Sequence, residues 1–308
     1  MAVTMTTRVC LVCGDLESST VLVGAEDRFG VGGSFPVVAC ARCSFTWTAL
    51  SAEFDLGAWY DRGYWTEPGQ SADGRGSKTS AYGLRMAWSA WRAFNGSARP
   101  TRWVRTGRVL DVGCGSGYDT VEMIRSGANV VSIDLSERAL RQAASADVPP
   151  VRATPLAYPF ADDTCDVVVM SQVLKHVTDP LAALESTRRI LRPGGKLLLL
   201  APNSRGLRRR AFGSHWANWH LPYHLWHFDR GSLTTLLERA GFTTVRCATV
   251  SPGEWLLLSC GLRWRRLQEI GEHRTLSRLI LLVATPGLRL IDLLGGGDCL
   301  VVEATPNG

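Results

Sequence analysis

From residue 108 onward, short apolar runs alternate with amphipathic stretches. Arg108 to Val112 reads as a short strand, and a helix is expected from about Asp119 to the helix-stopping Gly127. Asn129 to Ile133 forms the next apolar run and closes on Asp134. Val148 to Ala153, Asp166 to Met170 and Lys196 to Ala201 predict the third, fourth and fifth strands. Asp179-Pro180 marks a helix start, acid at the cap and proline at the first position, running to Leu191 and an Arg192-Pro193-Gly194-Gly195 turn. Ser232 to Ala240 predicts a further helix, ended by Gly241. Thr243 to Val250 and Leu300 to Ala304 give the sixth and seventh strands. Strands alternating with helices predict an α/β fold with a Rossmann-like seven-stranded sheet. Residues 251–298 form an insertion with apolar helical stretches at Trp255 to Leu258, Leu276 to Val283 and Leu288 to Leu294. A substrate lid is the favoured reading of it, ahead of a dimer face or a membrane-surface patch.

The amino-terminal part is patterned differently. Cys10 and Cys13 form one C-x-x-C pair and Cys40 and Cys43 a second, with short strands expected at Ser19 to Gly24 and Phe35 to Ala39. Two such pairs can supply the tetrahedral sulfur cage that zinc prefers. A redox dithiol of the thioredoxin type should instead occur once, within a βαβ context. A structural zinc ribbon over residues 1–55 is the expectation, with no open coordination position for chemistry. Residues 56–106 are read as a helical linker that caps the site, and 107–308 as the main domain.

Of the 308 residues, 45% are apolar and 20% charged, as in an ordinary globular protein. Leu279 to Leu288 is bracketed by Arg278 and Arg289, is far shorter than the roughly 18 residues a membrane span needs, and contains Pro286, read as a breaker. No transmembrane segment is expected. Without a basic segment and apolar run at the start, the cytoplasm is the expected location. The net charge of +6 rests on arginine, with only three lysines, and a GC-rich genome accounts for that as well as phosphate binding does.

The turn after the first strand reads Asp111-Val112-Gly113-Cys114-Gly115-Ser116-Gly117, and Asp134 closes the second strand. Glycines let backbone approach a ligand closely, and an acid at that strand end is placed to accept from ribose hydroxyls. A dinucleotide fold is the rival reading, but the spacing is G-x-G-x-G without a third glycine one turn further on. Val173-Leu174-Lys175-His176-Val177-Thr178-Asp179-Pro180 and Leu191-Arg192-Pro193-Gly194-Gly195 follow in order. With these three motifs the chain resembles the class I S-adenosylmethionine-dependent methyltransferases. The resemblance implies that Gly113, Gly115 and Gly117 cradle the methionine part and that Asp134 holds the ribose. Asp111, Leu135, Thr154 and Ser171 complete the implied cofactor set. Thr154 stands where many relatives carry an acid toward adenine. Lys175 replaces a glutamate that in some relatives helps bind a divalent metal, so no catalytic metal is expected.

Between Phe212 and Phe228 lie four of the six histidines (His215, His220, His224, His227) and three of the eleven tryptophans. Such density in a loop beyond a strand end points to a binding site. His220 and His224 are spaced as i, i+4 metal ligands, but Pro222 between them argues against one helical face. The zinc knuckle, then Tyr60 and Tyr64, then the core resemble bacterial zinc-ribbon methyltransferases of sugars and secondary metabolites. By that resemblance Tyr223-His224-Leu225-Trp226-His227-Phe228 matches a motif whose histidine is the catalytic base. His224 therefore inherits the base role, with His176 as orienter or alternate. Tyr60, Tyr64, His220 and His227 are the expected acceptor-side residues; interdomain packing is the other reading of the two tyrosines.

The leading expectation is a small-molecule methyltransferase with S-adenosylmethionine and a structural zinc ion. An RNA methyltransferase is the alternative, suggested by the ribbon and the Arg205, Arg208, Arg209 and Arg210 cluster. The aromatics concentrate in one loop, not along a basic groove, which disfavours nucleic acid. An inactive fold carrying an interaction module is the third possibility. The pattern does not address oligomeric state.

Overall fold

The computed structural model describes residues 9–26, 28–60, 104, 106–144, 148, 150–264 and 274–307. Tyr64 and nearly all of the linker lie outside them. The amino-terminal part folds as β1 (Ser18–Ala25), β2 (Ser34–Cys40) and β3 (Thr46–Thr48), a meander of antiparallel strands. Each C-x-x-C pair makes the same turn: Gly14 N donates to Cys10 O and Ser44 N to Cys40 O. Gly14 (φ +75°) and Ser44 (φ +60°) are both left-handed, which turns the chain back and aims two thiols at one point. A short helix, α1 (Leu56–Trp59), is capped by Asp55 and leads to Tyr60.

The main sheet uses β4 (Arg108–Val112), β5 (Asn129–Asp134), β6 (Pro150–Arg152), β7 (Cys165–Ser171) and β8 (Leu191–Pro202), all parallel. After β9 (Trp226–His227) come β10 (Phe242–Val250) and β11 (Cys299–Pro306), and β11 runs antiparallel to both β8 and β10. The order is β10-β11-β8-β7-β4-β5-β6, seven strands as the sequence predicts. Val168 and Val169 are both wholly buried, one in each of the two hydrophobic cores. That is why the central strands read as unbroken apolar runs and do not alternate.

Among the described residues, helices packed on the sheet include α2 (Tyr118–Arg125), α3 (Glu137–Ala144), α4 (Pro180–Ile190) and, following α5 (Leu207–Phe212), α6 (Arg230–Arg239). Asp179 caps α4 by accepting from Ala182 N, and Asp229 with Ser232 forms a capping box on α6, so both starts are written in the sequence.

Two local expectations are corrected. The Arg192–Gly195 segment lies inside β8 as a bulge: Leu191 pairs with Cys165, but the next pair is Lys196 with Val167. Pro286 does not break its helix. The insertion holds α7 (Gly253–Arg263) and α8 (Arg274–Leu293), and Pro286 is inside the latter. Buried Leu281 and Leu288 anchor the helix on both sides of the proline, and packing outweighs the lost backbone hydrogen bond.

The two parts are one packed unit. β9, from the histidine-rich loop, is the fourth strand of the ribbon sheet, pairing with β3. Phe45 stacks on Trp226 at 6.1 Å and meets Phe228 at 5.7 Å, inside a core cluster that runs from the ribbon into the main sheet.

Candidate active site

Register brings residues expected to hold the cofactor to one edge. Val112 pairs with both Ile133 and Met170, so Gly113, Asp134 and Ser171 follow at the same end of three adjacent strands. Gly113 has φ +69°, and a Cβ there would lie 2.5 Å from Val173 Cγ2, so only glycine fits. Gly115 (φ +55°) faces open space, which leaves its backbone approachable by a ligand. Asp134 is nearly buried; Oδ2 accepts from Gly115 N at 3.0 Å and Oδ1 from Ser136 N at 2.8 Å. Its carboxylate is thereby aimed along the glycine turn, with acceptor capacity left on both oxygens. Leu135 is 59% exposed beside it. Thr154 Oγ1 accepts from Leu156 N, closing the loop after β6. Asp111 is buried one layer below, accepting from Thr120 Oγ1 at 2.5 Å; burial pushes it up to about 7. An open glycine turn, an aimed carboxylate and an exposed apolar neighbour are the features a ribose-bearing cofactor needs. Here the residues fit S-adenosylmethionine.

The four cysteine sulfurs lie within 4.8 Å of one another, with Cys10–Cys43 and Cys13–Cys40 at 3.5 Å. Sulfurs on a tetrahedral zinc ion at about 2.3 Å stand roughly 3.8 Å apart, and the cage fits one. Among the described residues it is the one cluster of three or more metal-ligating groups.

Four acceptor-side expectations converge beyond β7. Tyr60 Oη is 2.7 Å from His176 Nδ1, the His176 and His224 rings meet edge-on at 4.8 Å, and His220 meets His224 at the same distance. His224 Nδ1 lies 2.7 Å from Asn218 O, and a carbonyl only accepts, so Nδ1 carries the proton. The lone pair on His224 Nε2 then accepts from His220 Nδ1 at 3.3 Å. His176 Nδ1 likewise faces Tyr223 O at 2.9 Å, which leaves its basic lone pair on Nε2. The two histidines bracketing Pro222 do not share a helix. They meet across a tight turn in which His224 N donates to His220 O and His220 sits at φ +40°.

His227 is placed elsewhere. Its Nε2 is 3.1 Å from Thr48 Oγ1 and its ring packs on Trp219, so it fastens the loop to the ribbon sheet. Burial holds His176 and His227 down at about 3, and His220 and His224 well below the usual imidazole range. All four rings are neutral near pH 7.

The loop owes its shape to neighbours on three sides. Leu225 O accepts from Thr48 N and Leu225 N donates to Lys175 O. Trp226 Nε1 donates to Val177 O, and Ala217 N to Ser259 Oγ of the insertion. The insertion thus braces the loop from behind.

Sequence reasoning missed two contributions. The first is the β1–β2 loop, where buried Glu26 accepts from the backbone N–H groups of Arg28, Phe29, Val31 and Gly32. This fold carries Phe29 to within 5.3 Å of both His220 and Tyr223. An acid ahead of a loop with Gly30, Gly32 and Gly33 was its only trace in the sequence. The second is Lys175, which is buried with Nζ donating to Gln172 Oε1 at 2.5 Å. Burial lowers it to about 7.

A family described as "Methyltransferase domain" matches residues 85–246, just over half of the chain. Demethylmenaquinone methyltransferases from Mycobacterium sp. (strain KMS) and Corynebacterium urealyticum are each 41% identical over 92 residues. Those matches span 30% of this chain and only 40% of the relatives' own length. Among solved structures, a chain of the complex between the Haloferax volcanii Trm112 methyltransferase activator and its methyltransferase aligns with TM-score 0.50. It is 16% identical, with 73% of this chain and 95% of that chain covered, a likeness of fold. With the glycine turn, the strand order and a family match over half of its length, the chain belongs to the methyltransferase-domain family.

Proposed function

We propose that the protein transfers the methyl group of S-adenosylmethionine to a small molecule, and that the acceptor docks against the Tyr60, His176, His220 and His224 cluster. One observation carries the reading. The cluster follows β7, whose carboxyl end stands beside the glycine turn after β4, and ligands of open α/β sheets bind beyond those strand ends. When bound, S-adenosylmethionine supplies an electrophilic methyl group on a sulfonium. This chain's residues align the acceptor and manage its proton.

In this reading neutral His176, fixed by Tyr60 and Tyr223, accepts a hydrogen bond from the acceptor through Nε2; the base role expected of His224 passes to it, because the single lone pair of His224 takes the His220 N–H and its ring packs edge-on against His176. The cysteine cage holds a structural zinc ion and does no chemistry. The arginine cluster supports a small acceptor over RNA. Arg208 is buried in an ion pair with Asp298, Arg205 pairs with Asp229, and Arg209 lies 5.2 Å over the Trp219 ring. These cations are engaged within the fold and form no stripe for phosphates. The relatives named for demethylmenaquinone are consistent with a small-molecule acceptor.

The test is transfer from methyl-labelled S-adenosylmethionine to a panel of phenols, quinols and nucleotide sugars, with an RNA transcript alongside. Label should reach a small acceptor. His176→Ala, which misplaces the acceptor, should lower that turnover about 10²-fold while cofactor affinity is kept. Label in RNA alone, or full turnover in His176→Ala, contradicts the reading.

A further inference from the structure

A proton taken from the acceptor needs a resting place, and the histidines are poor ones. Burial has lowered all four, so each holds a proton weakly near neutral pH. Lys175 differs. It directly follows Leu174 at the carboxyl end of β7 and precedes His176, and it is only 4% exposed. No carboxylate of the described residues lies within ion-pair distance of its Nζ. Its one hydrogen bond is to a neutral amide, Gln172, which donates in turn to Cys299 Sγ. An ammonium has three donors, and a buried cation with one partner and no counter-ion is costly. The ionisable groups that act on it are the Arg28 cation from the ribbon loop and Cys299 of β11, a thiol that burial keeps protonated; His176, His220 and His224 feel it from the loop, and His227 from the ribbon side.

We propose that Lys175 is a catalytic residue that removes the proton from an acidic hydroxyl of the acceptor, a phenol or an enol, and then holds the resulting oxyanion. The O–H bond breaks, its electron pair stays on the acceptor, and the proton passes to Nζ. The anion then takes the methyl group from the sulfonium, whose C–S electron pair returns to sulfur. The ammonium afterwards releases its proton to solvent. Before the step burial without a counter-ion lowers Lys175 to about 7, into the range a general base needs near neutral pH. After the step the oxyanion is the counter-ion and the hydrogen-bond acceptor that the buried ammonium otherwise lacks. This inference rests on the methyltransferase reading and narrows its acceptor to acidic hydroxyl compounds.

The chain has three lysines, Lys78, Lys175 and Lys196, so ¹³C-lysine labelling gives a spectrum that one variant assigns. In the wild type bound to S-adenosylhomocysteine, one Cε resonance should titrate near neutral pH and vanish in Lys175→Met. With para-nitrophenol as the probe, the phenolate absorption should appear in that complex at a pH about one unit below that of free nitrophenol. Lys175→Met should abolish this shift, and Lys175→Arg, which can hold an oxyanion, should keep it. A Lys175 resonance that titrates with the other lysines overturns the proposal in the wild type alone. So does a phenolate shift that is absent in the wild type or unchanged in Lys175→Met. S-adenosylhomocysteine affinity, measured first, separates the two levels: its absence in the wild type refutes the underlying reading and not the role of Lys175.

Discussion

Acidification from pH 7 to pH 5 should remove roughly 5 kcal/mol of folding stability. His176, His220, His224 and His227 are buried and held neutral, two of them at about 3 and two well below the usual range. In the unfolded chain each titrates near 6.5. Below that pH the unfolded chain therefore binds protons that the folded chain refuses. Stability is fully present above pH 6.5 and drains away as pH falls toward the folded values. Asp111 works in the opposite sense. Burial raises it to about 7, so its contribution is lost as pH rises and partly offsets the histidines on acidification. The net uptake on unfolding near pH 5.5 should be about two to three protons, or ~3–4 kcal/mol per pH unit. Against a total stability of about 5–15 kcal/mol, a loss of roughly 5 kcal/mol is a third or more of the whole. Urea unfolding at pH 7 and pH 5 measures it, and His176→Gln should flatten the pH dependence by close to one proton. A urea midpoint independent of pH would show that the imidazoles are solvated.

Stripping or preventing zinc binding should produce the second large effect. The sulfur cage fits one ion, and structural zinc sites of this kind contribute about 10 kcal/mol or more of apparent binding free energy. Elemental analysis of carefully purified protein should find about one zinc per chain. Cys10→Ser should melt β1 to β3, and the damage should spread, because β3 pairs with β9 and Thr48 N holds Leu225 O. Trp226, stacked on Phe45, should report the change in fluorescence. Among the described residues the glycine turn and Asp134 take no hydrogen bond from the ribbon, so cofactor affinity should change only a few-fold. Much less than one zinc per chain would refute the assignment. A tryptophan signal unchanged in Cys10→Ser would refute the coupling.

What could be read from the sequence follows from which interactions are local. Strands, caps and the knuckle turns depend on neighbours a few residues away, and Asp179, the two C-x-x-C pairs and Gly113 each announce their job. The grouping of His176 with His224 was accessible through the strand-end rule, because both follow β-strands of one parallel sheet. The parts that were not legible depend on contacts across long separations. The assignment of His227 to the acceptor side placed it beside His224, whereas its ring turns the other way, to Thr48, 179 residues earlier. Neighbouring positions in an extended segment face opposite sides, and sequence alone does not say which side meets the ribbon. Lys175 looked like a lost metal ligand because its burial and lack of a counter-ion exist only after the loop closes over it. The continuity of α8 through Pro286 was hidden for the same reason, since tertiary packing overrode a local rule.

The measurement that bears most directly on the whole account is calorimetric titration with S-adenosylmethionine of the wild-type protein and of Asp134→Ala. Asp134 is held by Gly115 N and Ser136 N, and under the proposed function its carboxylate accepts from the ribose hydroxyls. Charge-assisted hydrogen bonds of this kind are worth about 1.5–3 kcal/mol each. The wild type should bind one S-adenosylmethionine per chain, and Asp134→Ala should bind at least about tenfold more weakly. No binding by the folded wild-type protein, or equal affinity in Asp134→Ala, would contradict it.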